Sequence, residues 1–220
     1  MKNLSKFYDR FWTEDRGEFG GYVRNLELPS FFKAGELILD VGCGDGTVGE
    51  FLQSKTGVKV KGVDISKEAI KKARAKGVDA KLGSSEQRFP FDDNSFDKVF
   101  WGDNIEHLFD PEKTIQEIKR VLKKNGKLIL SCPNMGYWRY RIHYFLFGSL
   151  PDTEWTGLHP WKWAHIRFFN LKILEDFLLS NGFKKITKVL GISERRLDKP
   201  FLQFIPSLFG MILVLEVLNE

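Results

Sequence analysis

The sequence is poor in cysteine and in long apolar runs, and each shortage argues against a class of protein. Its 220 residues include two cysteines, Cys43 and Cys132, and neither belongs to a C-x-x-C motif. This count argues against a disulfide framework and excludes a cysteine-rich zinc site. The longest apolar region, 201–218, is interrupted by a glutamine, a proline, a glycine and a glutamate, so it falls short of a membrane span.

The sequence also contains no internal repeat and no low-complexity tract. Its first residues, Met1–Ser5, lack the apolar core of a signal peptide, which predicts a cytoplasmic protein. The length fits one domain, 1–220, with a three-layer core. The 34 basic and 29 acidic residues give a formal charge of +5. Because Lys and Arg are scattered, we interpret this charge as a solvated basic surface, although it also permits an anionic substrate or nucleic acid.

The stretch Leu37–Gly46 organises the rest of the chain. A short apolar run typical of a buried strand is followed by three glycines within five positions, in the spacing G-x-G-x-G. Glycine permits positive φ and lets a ligand approach bare backbone. With a helix beginning at Thr47, this pattern predicts the strand, turn and helix that form nucleotide sites at the carboxyl end of a central strand.

A second predicted strand ends at Asp64, eighteen residues after Gly46. An acidic residue at this position is placed to accept hydrogen bonds from both hydroxyls of a ribose. Its alternative role is to cap the next helix. Ser66 is the predicted N-cap of that helix, and Asp110 followed by Pro111 predicts the start of another.

Apolar periodicity predicts that strands and helices alternate as β-α-β-α-β-β-α-β over the first part of the chain. This order predicts an α/β fold with a doubly wound, mostly parallel sheet. The predicted strands are 37–41, 58–64, 78–82, 96–101, 127–132, 183–190 and 211–217, and the predicted helices are 47–55, a segment after Ser66, one from 111 to a stop at 123–126, 139–147 and 170–180.

Five motifs follow one another in the first part of the chain, and two more follow in the second. They are Leu39–Gly46, Gly62–Ser66, Phe89–Val99, Glu106–Pro111 and Arg120–Leu128, then His165–Phe169 and Gly182–Phe183. In order and spacing they resemble the class I S-adenosylmethionine-dependent methyltransferases, and Glu106 followed by His107 looks like the quinone-type members. The resemblance implies a Rossmann-like three-layer sandwich whose seven-stranded sheet has an antiparallel last strand.

The resemblance also implies the cofactor, S-adenosyl-L-methionine, with S-adenosyl-L-homocysteine as the product, and the residues that hold it. The methionine part would meet the carboxylate of Asp40 and the backbone of Gly42, Cys43, Gly44 and Gly46. The ribose would meet Asp64, and the adenine would meet Ile65 and either Ser85 or Glu86. Gly102 and Asp103 would line the cleft.

Methyl transfer requires mainly positioning and a dry cleft, with a general base where the nucleophile must lose a proton. His107 is the first candidate for that base because it follows the fourth strand at the cleft. His165 and His143 are the next candidates. For each of them the alternative is a structural histidine that only forms hydrogen bonds. Along the chain, no group of histidines, cysteines and carboxylates has metal-ligand spacing, so we predict no metal site.

Two segments lie outside the repeating pattern of strands and helices. Residues 1–30 form a predicted N-terminal arm, either anchored by aromatic side chains or acting as a lid over the cofactor. Residues 134–168 hold four of the six tryptophans and three of the four histidines, and we expect this insertion to form the acceptor pocket. Within it, the run Trp138–Phe147 is expected to pack into the core, with a membrane surface as the alternative.

These observations predict a methyltransferase that acts on an oxygen or nitrogen of a small-molecule, sugar-linked or lipid-linked acceptor. An alternative rests on Pro133–Arg141 and Gly148–Pro151, which resemble MetW-type proteins linked to methionine biosynthesis. Such a protein would bind the cofactor and act through a protein partner. A third hypothesis, an RNA methyltransferase, has only the net charge in its favour, so nucleic acid is not the expected partner.

Overall fold

The computed structural model describes residues 2–13, 26–153 and 165–219, and in them a seven-stranded sheet lies between layers of helices. The strands are β1 (Leu37–Val41), β2 (Lys59–Asp64), β3 (Asp79–Leu82), β4 (Phe96–Gly102), β5 (Leu122–Pro133), β6 (Lys185–Ile192) and β7 (Ile212–Leu218). The helices are α1 (Lys2–Thr13), α2 (Thr47–Thr56), α3 (Lys67–Ala75), α4 (Pro111–Val121), α5 (Trp138–Phe147), α6 (Leu171–Ser180) and the short α7 (Pro206–Phe209).

The strand order is β3-β2-β1-β4-β5-β7-β6. The strand pairs from β3 to β5 are parallel, and β7 is antiparallel to both of its neighbours. The predicted Rossmann-like sheet with an antiparallel last strand is therefore confirmed. Because the chain runs outward from β1 through β2 and β3, and later from β4 through β5, the order reverses between β1 and β4. Ligand clefts of doubly wound sheets open at the carboxyl ends of the strands at this point.

Side-chain caps that the sequence signals mark three of the helix starts. The side chain of Ser66 accepts a hydrogen bond from Ala69 N, and Asp110 accepts one from Lys113 N, as predicted for N-caps. Asn170 caps α6 in the same way. Alternate residues of β1 then face opposite sides of the sheet: Leu39 belongs to the apolar cluster under α4 and α6, and Ile38 to the cluster under α2 and α3.

The boundary between α4 and β5 differs from the prediction. We expected 123–126 to end the helix, but α4 ends at Val121 and β5 begins at Leu122. The amides of Asn94 and Ser95 donate to the carbonyls of Arg120 and Val121, at 2.9 and 2.8 Å. These bonds draw the end of the helix into the ladder beside β4, where the register then shifts. Smaller differences of one or two residues occur at β3, β6 and β7.

The expectation that Trp138–Phe147 packs into the core was wrong. The segment is helical, as α5, but Tyr140 is its only buried residue, while Phe145 is 86% and Phe147 is 69% exposed. The apolar side chains surround the helix and do not form a single stripe, so no one face can bury them all. The pocket expected from 134–168 depends largely on residues 154–164, which lie outside the described residues. This range contains Trp155, His159, Trp161 and Trp163.

The first turn of α5 is fixed by a buried carboxylate. Asp198 is 1% exposed and accepts hydrogen bonds from Tyr137 Oη at 2.6 Å, Trp138 Nε1 at 2.9 Å and Ser193 Oγ at 2.5 Å. Burial raises the pKa of Asp198, but these hydrogen bonds lower it on balance.

In the part of the chain that the structure describes, no helix is long and apolar enough to cross a bilayer.

Candidate functional site

The glycine turn after β1 is held between β2 and α3. Gly44 and Gly46 have φ of +52° and +79°, a backbone conformation that residues other than glycine rarely adopt. A Cβ atom on Gly46 would lie 2.7 Å from the Cα of Ala73 in α3. The amides of Gly42 and Cys43 both donate to the carbonyl of Val63, at 2.8 and 3.1 Å. Cys43 itself is buried. The turn is therefore fixed by backbone contacts on both sides.

The structure brings Asp64 to this turn, as the sequence predicted. Its Oδ2 accepts a hydrogen bond from Gly44 N and its Oδ1 one from Ser66 N, both at 2.9 Å. Burial raises the pKa of Asp64, and the backbone hydrogen bonds oppose that rise. Ile65 lies between Asp64 and Ser66 in the chain and is partly exposed. A carboxylate held by two amides keeps lone pairs for further donors, which is the property that ribose recognition requires.

Helix α1 covers this corner of the sheet. A Cβ atom on Gly44 would lie 2.6 Å from the indole of Trp12, so the ring packs directly on the turn. Asp9 Oδ1 accepts hydrogen bonds from Ser66 Oγ at 2.7 Å and from Lys67 N at 2.8 Å, at the start of α3. The hydrogen bond from Ser66 lowers the pKa of Asp9. The sequence indicated an aromatic anchor here, but nothing in it indicated the role of Asp9.

The end of β4 forms the other wall. Asp103 has φ of +44°, its N donates to Ser131 O, and its Oδ1 accepts from Ser131 Oγ, both at 2.9 Å. Asn104 accepts a hydrogen bond from Trp101 Nε1 at 2.9 Å. Its amide reaches over the glycine turn, because a Cβ atom on Gly42 would lie 2.7 Å from Asn104 Nδ2. Sequence reasoning missed Asn104, which stands between the motif residues that carried the resemblance.

Four other candidates occupy defined places. Asp40 is buried on β1 at 4% exposure, and Gly102 ends β4. In the loop after β3, Glu86 Oε1 accepts a hydrogen bond from Asp110 N, at the start of α4, and Ser85 O accepts one from Thr114 Oγ1 at 2.9 Å. The Glu86 carboxylate is thus bonded to the neighbouring helix start, and its predicted role toward adenine stays a prediction.

Two of the three candidate histidines come together. The rings of His107 and His165 have centroids 4.7 Å apart, and His165 Nε2 lies 3.8 Å from Oε1 of the buried Glu106. Burial, together with the neighbouring His107, lowers the pKa of His165 to about 4, so its ring is neutral at neutral pH. Thr153 Oγ1 lies 2.8 Å from His165 Nδ1.

His143 lies elsewhere. It is on α5, where its ring contacts Phe147 and its Nε2 lies 3.4 Å from Ser149 Oγ. Both of these neighbours belong to its own helix or to the turn after it. The structure thus groups His107 and His165 with Glu106 and leaves His143 on a separate surface.

Comparison with known proteins gives a family match over most of the chain. A family model described as "Methionine biosynthesis protein MetW" matches residues 25–217. Phosphoethanolamine N-methyltransferase 2 of Caenorhabditis elegans is 34% identical over 127 residues, which are 54% of this chain and 29% of the worm protein. The ubiquinone biosynthesis O-methyltransferase of Hydrogenovibrio crunogenus is 29% identical over 171 residues, 72% of this chain and 70% of that protein.

Among solved structures, a Haloferax volcanii methyltransferase in complex with the Trm112 methyltransferase activator has a TM-score of 0.69. The match covers 96% of this chain and 97% of that chain at 19% identity, so it shows a shared fold. The curated relatives differ in how much of their length this chain matches. The match spans only 29% of the length of the worm enzyme.

Proposed function

The chain belongs to the MetW family, which is class I S-adenosylmethionine methyltransferase-like, and from this premise we propose that it transfers a methyl group from S-adenosyl-L-methionine to an acceptor. The acceptor atom is an oxygen or nitrogen of a small-molecule, sugar-linked or lipid-linked compound. The observation that carries the proposal is the hydrogen bond from Gly44 N to Asp64 Oδ2 at 2.9 Å. It unites the glycine turn and the strand-end carboxylate in one site, as a nucleoside cradle requires.

The residues present fit the cofactor. Its methionine part would meet the backbone of the turn, where Gly42 leaves room only for the Asn104 amide. Asp64 would accept the ribose hydroxyls, and Ile65 would pack on the adenine. When bound, the cofactor supplies a methyl group on a sulfonium, so the electrophile comes from the cofactor and not from the protein. The chain's own contribution is orientation, which can lower a barrier by roughly 7–11 kcal/mol.

His107 and His165 are our candidates for contact with the acceptor. His107 follows β4 in the 3-10 helix Ile105–His107, and the fold brings His165 beside it, with the ring centroids 4.7 Å apart. The imidazole of His107 can hold a hydroxyl or amine by a hydrogen bond and can receive the proton that the acceptor releases. His165, whose pKa is lowered to about 4 by burial and by His107, is too weak a base for that step.

We further propose that α1 acts as a lid. Trp12 packs on Gly44, and Asp9 binds the start of α3, so the helix rests on two parts of the predicted cofactor site. Both contacts are made by exposed or half-buried side chains of a single helix, which can detach without unfolding the sheet. Opening of this helix would admit the cofactor, and closure would exclude water from the sulfonium side.

The experiment is calorimetric titration of the protein with S-adenosyl-L-homocysteine. Asp64→Ala is expected to weaken binding at least tenfold, about 1.4 kcal/mol. Asp79→Ala is the matched control, because Asp79 is an exposed carboxylate at the start of β3 that pairs with Lys61. Equal affinities for the Asp64→Ala variant and the control would refute the ribose assignment. Transfer of a labelled methyl group to a panel of phenols, quinols and phosphoethanolamine would then identify the acceptor class.

A second candidate function is that of a cofactor-binding partner of a methionine-pathway enzyme. The exposed apolar surface of α5 favours it, because contiguous exposed aromatic side chains mark interaction sites. In that case the protein would bind the cofactor, show no turnover with any acceptor, and copurify with the partner enzyme. Phe145→Glu should abolish copurification and leave S-adenosyl-L-homocysteine affinity unchanged, whereas methyl transfer by the purified chain alone would contradict the partner role.

A further inference from the structure

Three potential metal ligands meet beside the cleft. Glu106 and His107 belong to the short 3-10 helix Ile105–His107, and His165 comes from a segment 58 positions later in the chain. Each offers one donor atom, and these three atoms all lie within 4.8 Å of one another. Glu106 is 2% exposed. Spacing along the sequence predicted no such cluster, because the third member is brought in by the fold.

Backbone hydrogen bonds hold the two segments together. The amides of Ile166 and Arg167 both donate to the carbonyl of Glu106, at 2.9 and 3.1 Å. Arg167 Nε also donates to Leu108 O at 2.9 Å. The segment that carries His165 is therefore bonded to the turn that carries the other two ligands. A site on such a preformed frame loses little conformational entropy when a ligand binds.

The orientation of His165 matches that of a metal ligand. Its Nδ1 lies 2.8 Å from Thr153 Oγ1, whose side chain is buried, and its Nε2 is the nitrogen that lies 3.8 Å from Glu106 Oε1. Histidines that bind metals use one ring nitrogen for the ion and the other for a hydrogen bond that fixes the ring. Thr153 supplies that second bond here.

We propose that Glu106, His107 and His165 bind a divalent transition-metal ion, with zinc as the representative. Two imidazoles and one carboxylate form the ligand set of catalytic zinc sites, which keep a fourth position open. Magnesium and calcium prefer oxygen ligands throughout, so the two nitrogens disfavour them. Zinc bonds of about 2.0–2.2 Å need ligand atoms roughly 3–3.6 Å apart, so the donor atoms, which now lie within 4.8 Å of one another, would draw together when the ion binds.

The ion would give this site a further property. An ion held by three protein ligands would keep a fourth position that can take an oxygen atom of the acceptor and lower the pKa of a hydroxyl. This role of the ion rests on the proposed function, but its binding does not. The metal test therefore uses binding as its readout and needs no acceptor.

The test is titration of chelator-treated protein with Zn²⁺ by calorimetry and with Co²⁺ by visible absorption. One ion per chain is expected, and His165→Gln and Glu106→Gln should each weaken zinc binding at least about 100-fold. Thr153→Val keeps all three ligands and should weaken it roughly 10-fold to 100-fold through loss of the second bond to His165. His143→Gln is the matched control and should bind zinc within twofold of the natural sequence.

Several outcomes would overturn the proposal. These are the absence of a one-to-one site in the natural sequence, equal zinc affinity in the ligand variants and the control, or displacement of zinc by a 100-fold excess of Mg²⁺. Circular dichroism of each variant without metal checks that it folds, and Thr153→Val gives a second test if a ligand variant does not. Titration with S-adenosyl-L-homocysteine in the presence of chelator separates the two proposals, because loss of nucleoside binding would refute the proposed function and leave the zinc result standing.

Discussion

Gly46 and Gly77 form a natural matched pair that tests how tightly α3 holds the glycine turn. Both have φ of +79°, so alanine meets the same backbone strain at either position. The space around them differs. A Cβ atom on Gly46 would lie 2.7 Å from Ala73 Cα and 2.9 Å from Ala73 Cβ, whereas a Cβ atom on Gly77 would meet nothing within 4 Å.

The magnitude follows from these two terms. A left-handed backbone costs a residue other than glycine roughly 1–2 kcal/mol, and the lower entropy of the unfolded alanine chain returns about 0.4–1 kcal/mol in both variants. Overpacking against Ala73 adds about 1–3 kcal/mol for Gly46→Ala alone, because the contact involves backbone and cannot be relieved by a rotamer change. The difference between the variants is therefore about 1–3 kcal/mol.

Urea unfolding followed by circular dichroism measures this difference directly. In a chain of this size 1 kcal/mol shifts Tm by roughly 2–4 °C, so Gly46→Ala should melt roughly 2–12 °C below Gly77→Ala. Gly46→Ala should also weaken S-adenosyl-L-homocysteine binding, since the turn must move away from Ala73, and Gly77→Ala should not. Equal losses of stability in the two variants would refute the reasoning, because they would show that α3 yields to the extra atom.

Three further predictions address α1, α5 and the buried carboxylate. Asp9→Ala should increase hydrogen exchange in α1 and weaken S-adenosyl-L-homocysteine binding several-fold, with little change in the Tm of the whole protein. Unchanged hydrogen exchange in α1 would exclude the lid. Phe145→Ser should change the free energy of unfolding by no more than about 0.5 kcal/mol, because the ring is 86% exposed; a loss above 2 kcal/mol would mean that it is buried in solution. Asp198→Asn should cost about 1.5–3 kcal/mol in urea unfolding at pH 7, since one amide oxygen cannot serve three donors. The pKa of Asp198 is lowered in the folded state, so this stabilisation is complete above the unfolded pKa of about 3.9 and is lost as pH falls through the folded value. The two proteins should therefore converge in stability below about pH 4, and a constant difference down to pH 2 would contradict the assignment.

The sequence by itself determined the features that depend on neighbours along the chain. The apolar run and the glycine turn at 37–46, the caps at Ser66 and Asp110 and the order of strands and helices are local signals, and they were sufficient for the mostly parallel sheet. The antiparallel last strand was expected only from the family resemblance. Asp64 belongs with them, because a residue that ends a parallel strand beside β1 must lie at the same edge as the turn.

Only the tertiary structure decided which distant side chains meet. His165 reaches His107 across 58 positions, and Asp9 reaches Ser66 across 57, so no periodicity or spacing could relate them. The exposure of α5 and the early end of α4 were also beyond local signals, because both depend on what the rest of the fold already covers or pairs. Local propensity acts over a few residues, whereas burial and long-range hydrogen bonds depend on the complete packing, and the chemistry of this site lies in those long-range contacts.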